Sequence, residues 1–275
     1  MGPIGVFDSG MGGLTVLREL HRRLPAEDLL YFGDTARVPY GTKGARTVRE
    51  FALQDALFLR SRGVKMIVVA CNTASAFAID YLQEQLDVPV LGVIKPGVQA
   101  ALEKTAGGNI GVIATRGTVS SNRYQELLIA EVGKDRVIAK ECPLFVPLVE
   151  EGMTSGNVTD LVTADYLQSL KNNVDTLILG CTHYPLLKET IANFMGDEVK
   201  LVDSAEALAE AAASELENKK ESGSGEISFC LSDIPWKFRE VGARFLGKPI
   251  DAVETVNLNE LEREGVLSIP RKEKA

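Results

Sequence analysis

Two short stretches of this chain have the same form, and together they constrain its fold more than any other feature. Residues 68–73 (VVACNT) and 178–183 (ILGCTH) are each an apolar run that ends in a cysteine followed by a small polar residue. Apolar runs of this length are typical of buried parallel strands, and the polar residues after them are typical of a helix start. Each cysteine is therefore expected at the carboxyl end of a strand, where open α/β sheets bind ligands.

The rest of the chain alternates between strand and helix patterns. Strands are predicted over residues 4–7, 29–32, 65–70 and 88–94, and helices over residues 48–62 and 74–86. Pro96 and Gly97 are expected to break the chain after the fourth strand. Strands that alternate with helices predict right-handed βαβ units and a parallel sheet, so the expected fold class is α/β.

The pattern then begins again, which indicates an internal duplication. Three landmarks recur in the same order at nearly constant offsets: residues 4–9 at 110–115 (offset 106), residues 38–39 at 146–147 (offset 108), and Cys71 at Cys181 (offset 110). A repeat of this size is a whole domain and not a solenoid unit. We expect two similar α/β domains with mainly parallel sheets, related by a pseudo-twofold axis, with the active site in the cleft between them.

The C-terminal part has no counterpart in the repeat. Because the first copy ends near residue 95, this part is expected to cross back and complete the first domain, which gives residues 1–95 plus 207–275 for one domain and 96–206 for the other. Its predicted elements are strands at 199–203 and 227–231, helices at 205–217 and 236–246, an edge strand at 250–253, a polar loop at 219–226 and a charged tail at 270–275.

Composition excludes several classes of protein. The 275-residue chain has a net charge of −8, which argues against a general affinity for nucleic acid or anionic membranes. No apolar stretch approaches the roughly 20 residues of a membrane span, and no signal-peptide pattern precedes residue 4. The four cysteines form no CxxC pair, so a reduced, cytoplasmic setting is expected.

Two thiols that face one cleft suit a particular chemistry. Inversion at a carbon atom needs one group to remove a proton from one face and another group to deliver a proton to the opposite face. A cysteine at a helix N-terminus has its thiolate favoured by the helix dipole and by free N–H groups. Ionisable helpers are available in Asp8 beside Cys71, and in His183 and Glu150 beside Cys181.

Five motifs together carry a family resemblance. They are residues 8–13 (DSGMGG), 33–41 (GDTARVPYG), 70–74 (ACNTA), 142–150 (CPLFVPLVE) and 180–185 (GCTHYP). With these motifs the chain resembles the bacterial glutamate racemases from about residue 4 to residue 250. The resemblance implies a cofactor-independent enzyme that interconverts L- and D-glutamate and supplies D-glutamate for peptidoglycan, hence for cell-wall biogenesis and cell shape.

The resemblance also implies roles for individual residues. Cys71 and Cys181 are the paired acid and base, with Asp8 assisting Cys71, and with His183 and Glu150 on the Cys181 side. Thr115 and Thr118 help to hold a carboxylate. The resemblance implies that the substrate is glutamate, that no cofactor or metal ion is needed, and that the protein is a homodimer. The implied substrate-binding residues are Asp8, Ser9, Tyr40, Gly41, Asn72, Thr73, Thr182 and His183.

Other interpretations stay open or are disfavoured. An aspartate racemase of the same superfamily, or a two-lobed protein that binds an amino acid without catalysis, would fit the same fold. A nucleotide loop at residues 10–13 is disfavoured because no lysine follows it, and these glycines are better explained by close backbone approach. Zinc at Cys71, Cys181 and His183 lacks a supporting acid or CxxC pair, and pyridoxal phosphate lacks a lysine in a suitable context. Cys142 and Cys230 are expected to be buried structural residues.

Overall fold

The computed structural model describes residues 2–216 and 223–269, which form two parallel sheets with helices on their faces. The first half contains β1 (Ile4–Asp8), α1 (Leu14–Arg23), β2 (Leu29–Gly33), α2 (Ala45–Ser61), β3 (Met66–Val69), α3 (Asn72–Gln85), β4 (Val90–Gly92) and α4 (Ile94–Lys104). The second half contains β5 (Ile110–Ala114), α5 (Arg116–Ser120), α6 (Arg123–Val132), β6 (Val137–Glu141), α7 (Phe145–Glu150), α8 (Asn157–Leu167), β7 (Thr176–Gly180), α9 (Lys188–Met195), β8 (Lys200–Asp203) and α10 (Ser204–Leu216). The C-terminal part adds β9 (Ile227–Leu231), α11 (Phe238–Leu246), β10 (Glu254–Thr255) and α12 (Leu258–Arg263), and short 3₁₀ turns lie at Tyr40–Thr42, Lys134–Arg136 and Tyr184–Leu187.

The strand order demonstrates the duplication that the sequence predicted. The first sheet has the order β10-β9-β2-β1-β3-β4 and the second has the order β6-β5-β7-β8. All neighbouring strands are parallel, and β2-β1-β3-β4 corresponds strand for strand to β6-β5-β7-β8. The registers also agree, because Ile4 lies opposite Leu29 and Met66, and Ile110 lies opposite Val137 and Thr176. The two-part α/β fold class is confirmed.

The C-terminal part completes the first sheet. Strand β9 pairs with β2, as expected for a segment that crosses back. The edge strand predicted at residues 250–253 is wrong: the pairing begins at Glu254, opposite Cys230, while Ile250 is buried against α11 near Gly242. The exact domain boundaries at 95/96 and 206/207 stay a prediction. Residues 219–222 of the predicted polar loop and the predicted tail at 270–275 lie outside the described residues.

The predicted break at Pro96 and Gly97 is also wrong, since both residues lie inside α4. Pro96 is the third residue of this helix. The first N–H groups of a helix have no partner within it, so a proline there removes no hydrogen bond. The helix therefore begins at Ile94, directly after β4, and leads the chain into the second half.

The core explains why the two halves hold together. Every residue of β1, β3, β5 and β7 is buried, as expected for parallel strands covered on both faces. The largest apolar cluster includes Leu17 of α1, Leu208 of α10, Leu177 of β7 and Phe245 of α11, so it continues from one half into the other. Within the described ranges, no helix is both long and apolar enough to cross a bilayer.

Candidate active site

The carboxyl ends of the central strands meet at one cavity of about 170 Å³. This is smaller than the roughly 300–1,000 Å³ typical of drug-sized sites, so the cavity suits a small molecule. Its polar lining comes from both halves: Ser9, Tyr40, Gly41, Cys71, Asn72 and Thr73 from the first, and Thr115, Arg116, Glu150, Cys181, Thr182 and His183 from the second. The structure therefore brings most of the sequence-predicted residues to this cavity. Asp8 does not line it and is buried at the end of β1 beside Gly10 and Gly13.

Cys71 occupies the N-cap position of α3, where its Sγ accepts a hydrogen bond from the Ala74 N–H at 3.5 Å and contacts the Ser9 Oγ at 3.6 Å. Burial and the negative charge of Asp8 raise the pKa of the Cys71 thiol to about 12, although the Ala74 N–H and Ser9 lower it in part. The N–H group at the helix N-terminus favours the thiolate, as expected, but the loss of solvation on burial outweighs it. Cys71 is a thiol at neutral pH.

Asp8 is a buried carboxyl with one oxygen in use. Its Oδ2 accepts a hydrogen bond from the Gly10 N–H at 3.0 Å, while Oδ1 is buried and has no partner among the described residues. Burial raises the pKa of Asp8, and the positive charge of His183 and the Gly13 and Gly10 N–H groups offset part of that effect. Burying a carboxyl oxygen without a hydrogen-bond donor costs free energy, so binding of a ligand that donates a hydrogen bond to it is favoured.

The second cysteine is held differently. Cys181 follows β7, but the helix start predicted after it is wrong, since residues 181–183 form a turn that continues into the 3₁₀ turn Tyr184–Leu187. The Cys181 carbonyl accepts the Tyr184 N–H at 3.1 Å, which closes the tight turn. The Tyr184 ring is buried and its hydroxyl donates to the Cys142 carbonyl at 2.8 Å. This anchored ring explains why the chain turns tightly before α9 begins.

His183 links Cys181 to Glu150. Its Nδ1 lies 3.9 Å from the Cys181 Sγ, and its Nε2 lies 3.1 Å from the Glu150 Oε1. Burial lowers the pKa of His183, but the hydrogen bonds and charges of Cys181 and Glu150 raise it more, to about 10. An imidazolium therefore lies beside the Cys181 sulfur at neutral pH. Glu150 is the last residue of α7.

Polar side chains also join the two halves beside the cavity. The hydroxyls of Thr73, Thr115 and Thr118 form a triangle with sides of 3.0, 3.1 and 3.1 Å. The Tyr124 hydroxyl donates to the Asn72 Oδ1 at 2.8 Å, which leaves the buried Asn72 Nδ2 without a partner in the described part of the chain. Hydroxyls and an unpaired amide N–H are suitable donors for a carboxylate.

Tyr40 lines the cavity, and its hydroxyl belongs to a buried cluster of charges. Its hydroxyl contacts the carboxylates of Asp34 and Asp55, the latter at 2.9 Å, and Arg37 pairs with both acids at 2.7 and 2.8 Å. The hydroxyl is thus committed to a buried charge cluster, while Tyr40 itself lines the cavity, so its contact with a ligand stays a prediction. Burial and the charge of Asp34 raise the pKa of Asp55 well above its usual value. The cluster fixes the segment that leads to Gly41.

Close packing explains the glycine-rich turn at residues 10–13. A Cβ atom on Gly12 would lie 2.2 Å from the Thr182 Oγ1 and 2.5 Å from the His183 Nδ1. The neighbouring Thr15 hydroxyl donates to the Thr182 carbonyl at 3.0 Å. The prediction that these glycines permit close backbone approach is confirmed, and the atoms they approach are those of the second thiol's turn.

Sequence reasoning missed several residues of this region. Asp55 could have been found, because it is a charged residue on the apolar face of α2, between Ala52 and Ala56. Phe245, which packs on His183, is one more apolar residue of a helix and gave no signal. Missed too was the apolar wall of the cavity, made by Val38, Pro39, Pro143, Val146 and Pro147.

The other two cysteines do not line the cavity. Cys142 and Cys230 are buried and free, as predicted for structural residues. In the described ranges no cluster of three or more Cys, His, Asp or Glu side chains is arranged to hold a metal ion.

A duplicated α/β fold with one thiol from each half in a shared cavity defines the class of two-domain racemase-like proteins. The profile of the Asp/Glu/hydantoin racemase family matches residues 4–212, and the chain belongs to this family. It is 50% identical to a glutamate racemase of Geobacter metallireducens over 95% of this chain and 98% of the relative.

Solved structures of relatives agree with this fold. A glutamate racemase from Francisella tularensis in complex with D-glutamate is 44% identical, with a TM-score of 0.87 over 94% of this chain and 98% of the other. One from Thermus thermophilus in complex with beta-chloro-D-alanine is 47% identical, with a TM-score of 0.86 over 94% and 98%.

Proposed function

We propose that this protein interconverts L- and D-glutamate without a cofactor, using Cys71 and Cys181 as the two acid–base groups. The observation that carries the proposal is that a thiol from each half of the duplicated fold lines the same small cavity. Binding alone needs no thiol, whereas inversion at a carbon atom needs a proton donor and a proton acceptor on opposite faces.

The substrate is held by neutral donors and one buried acid. Its carboxylates accept hydrogen bonds from the Asn72 amide, the Thr73 hydroxyl and backbone N–H groups near Gly41 and Thr182. Its ammonium group donates to the unpaired Oδ1 of Asp8, which relieves a buried oxygen without a partner. Thr115 and Thr118 support Thr73 through the hydroxyl triangle.

The two cysteines have different roles at the start of the reaction. Cys71 carries its proton and acts as the acid, and Cys181, whose sulfur lies 3.9 Å from the His183 imidazolium, acts as the base. The Cys181 sulfur takes the α-proton from the enantiomer that presents it, and the electron pair left on the α-carbon forms a planar carbanion. The Cys71 thiol then gives its proton to the opposite face. The product leaves a Cys71 thiolate and a Cys181 thiol, which is the form that converts the other enantiomer.

The names of the close relatives favour glutamate over aspartate. The second candidate, aspartate racemisation, rests only on membership of the wider family. The decisive assay follows the circular dichroism of L-glutamate and of L-aspartate with purified protein and no added cofactor. Loss of the glutamate signal to zero with little change in the aspartate signal is expected. Unchanged optical activity of glutamate with folded protein would contradict the proposal.

The biological setting follows from this activity. D-glutamate made here would supply peptidoglycan synthesis, and so cell-wall biogenesis and cell shape. A cytoplasmic location suits an enzyme whose two working thiols must stay reduced.

We also propose a homodimer: Trp236 is fully exposed and Ile234 is about half exposed, which provides apolar surface for a second copy. Light scattering coupled to size exclusion tests it, and a monomer at micromolar concentration would contradict it.

A further inference from the structure

The imidazole of His183 has an aromatic neighbour from a distant part of the chain. The ring of Phe245 lies with its centroid 5.0 Å from that of His183, at an interplanar angle of 79°. Phe245 is fully buried and belongs to α11, in the C-terminal part that completes the first sheet. His183 follows β7 of the second sheet, so this edge contact reaches from one half of the molecule to the other.

Hydrogen bonds alone do not fix the orientation of the imidazole. Its Nδ1 has two possible partners, the Cys181 Sγ at 3.9 Å and the Thr182 Oγ1 at 3.5 Å. On the other side, Glu150 is about one-third exposed and sits at the last residue of α7, which makes it a weak anchor. The buried ring of Phe245 packs against the imidazole, and dense packing restrains the motion of the side chains it contacts.

Helix α11 is itself tied to both halves. The Phe245 carbonyl accepts a hydrogen bond from the Arg18 Nη1 of α1 at 3.3 Å. Lys237, just before the helix, pairs with Glu151 at 3.5 Å, and the Arg244 Nη1 lies so close to Gly152 that a Cβ there would be 2.2 Å away. The helix therefore contacts the residues that directly follow Glu150 as well as the ring of His183.

We infer that Phe245 is a positioning residue that holds the His183 imidazole on the Cys181 sulfur. The inference rests on the proposed function, because it assigns Phe245 to the half-reaction in which Cys181 exchanges the α-proton. The hydrogen-bond partners of Cys71 are different and belong to the first half, namely Ser9 and Ala74. Loss of the Phe245 ring should therefore raise one of the two proton-transfer barriers and leave the other unchanged.

The test compares Phe245→Leu with Phe238→Leu, which removes an equally buried ring from the same helix beside Gly242. For each variant, kcat/KM is measured with L- and D-glutamate carrying protium or deuterium at the α-carbon. Because a small misplacement near reacting atoms can cost about 10²-fold in rate, we expect kcat/KM to fall by about 10-fold or more for Phe245→Leu. For Phe238→Leu, kcat/KM should fall by less than about threefold.

The isotope effects separate positioning from general damage. When the Cys181 barrier rises, the deuterium effect should increase for the enantiomer whose α-proton Cys181 removes and decrease for the other enantiomer. Phe238→Leu should leave both effects as in the unmodified protein. If Phe245→Leu does not fold, judged by its thermal unfolding, Phe245→Met provides the same comparison with a flexible side chain of similar size.

The outcomes also separate this inference from the function on which it rests. An unmodified protein that does not racemise glutamate would refute the proposed function. An unmodified protein that does racemise it, with folded Phe245 variants whose isotope effects are unchanged or shift equally for both enantiomers, would refute the positioning role of Phe245 alone.

Discussion

Replacing Glu150 by glutamine removes a negative charge from His183 while it keeps a side chain of the same size. Two unit charges 3.1 Å apart attract by about 1.3 kcal/mol in water and about 5 kcal/mol at an effective dielectric constant of 20. The Glu150 side chain is 35% exposed, so solvent screens the pair and the lower part of this range applies. A loss of about 2 kcal/mol corresponds to about 1.5 pH units.

The expected result is that the pKa of His183, about 10 in the unmodified protein, falls to between about 8 and 9 in Glu150→Gln. Because the imidazolium is the form below the pKa, the unmodified protein keeps the charge beside Cys181 up to about pH 10. The variant loses it between pH 8 and 9. Its racemisation rate should therefore decline at an alkaline pH where the unmodified protein is still active.

NMR of the ring carbons measures this directly, since the chain has two histidines. Burial and the charge of Lys248 lower the pKa of the other one, His21, so the two titrations are well separated. Glu151→Gln is the matched control, because this neighbouring acid pairs with Lys237 and not with His183. If His183 titrates at the same pH in Glu150→Gln as in the unmodified protein, the account of the Cys181 side is wrong.

Three further substitutions test other parts of the cavity. Gly12→Ala should lower kcat/KM by about 100-fold, because its Cβ would displace the turn that carries Thr182, and a near-normal steady-state rate would contradict this. Tyr40→Phe should lower the free energy of unfolding by about 1–3 kcal/mol in a urea titration, since Asp55 loses its buried partner, and an unchanged midpoint would contradict this. Thr73→Val should raise KM for glutamate by about tenfold with a smaller change in kcat, and a change confined to kcat would contradict its assignment to binding.

The sequence determined the fold through its repeat. Apolar runs that end in Cys71 and Cys181 predicted parallel strands, and the strand order and register confirm two copies. Local sequence patterns gave wrong predictions where packing between distant residues determines the local structure. Pro96 is a breaker in most positions but is harmless in the first turn of α4. Buried Tyr184 holds a tight turn after Cys181 where a helix start was expected.

The candidate site was predictable in its members but not in its electrostatics. The residues that meet at the cavity lie at strand ends, and strand ends can be recognised from sequence. The protonation of Cys71 depends on how deeply it is buried and on its neighbour Asp8, which only three-dimensional placement reveals. Contacts made by the C-terminal part, such as Phe245 on His183, join residues more than 60 positions apart and leave no local pattern.

The central claim is that two thiols act on opposite faces of one intermediate, and a reaction in D₂O tests it most directly. Starting from L-glutamate, the two enantiomers are separated at less than about 10% conversion and the deuterium at each α-carbon is measured by mass spectrometry. A two-thiol enzyme returns L-glutamate that keeps its protium and forms D-glutamate that carries deuterium from the solvent-exchanged thiol. Equal deuterium in both enantiomers at this early stage would indicate a single acid–base group and would contradict the account.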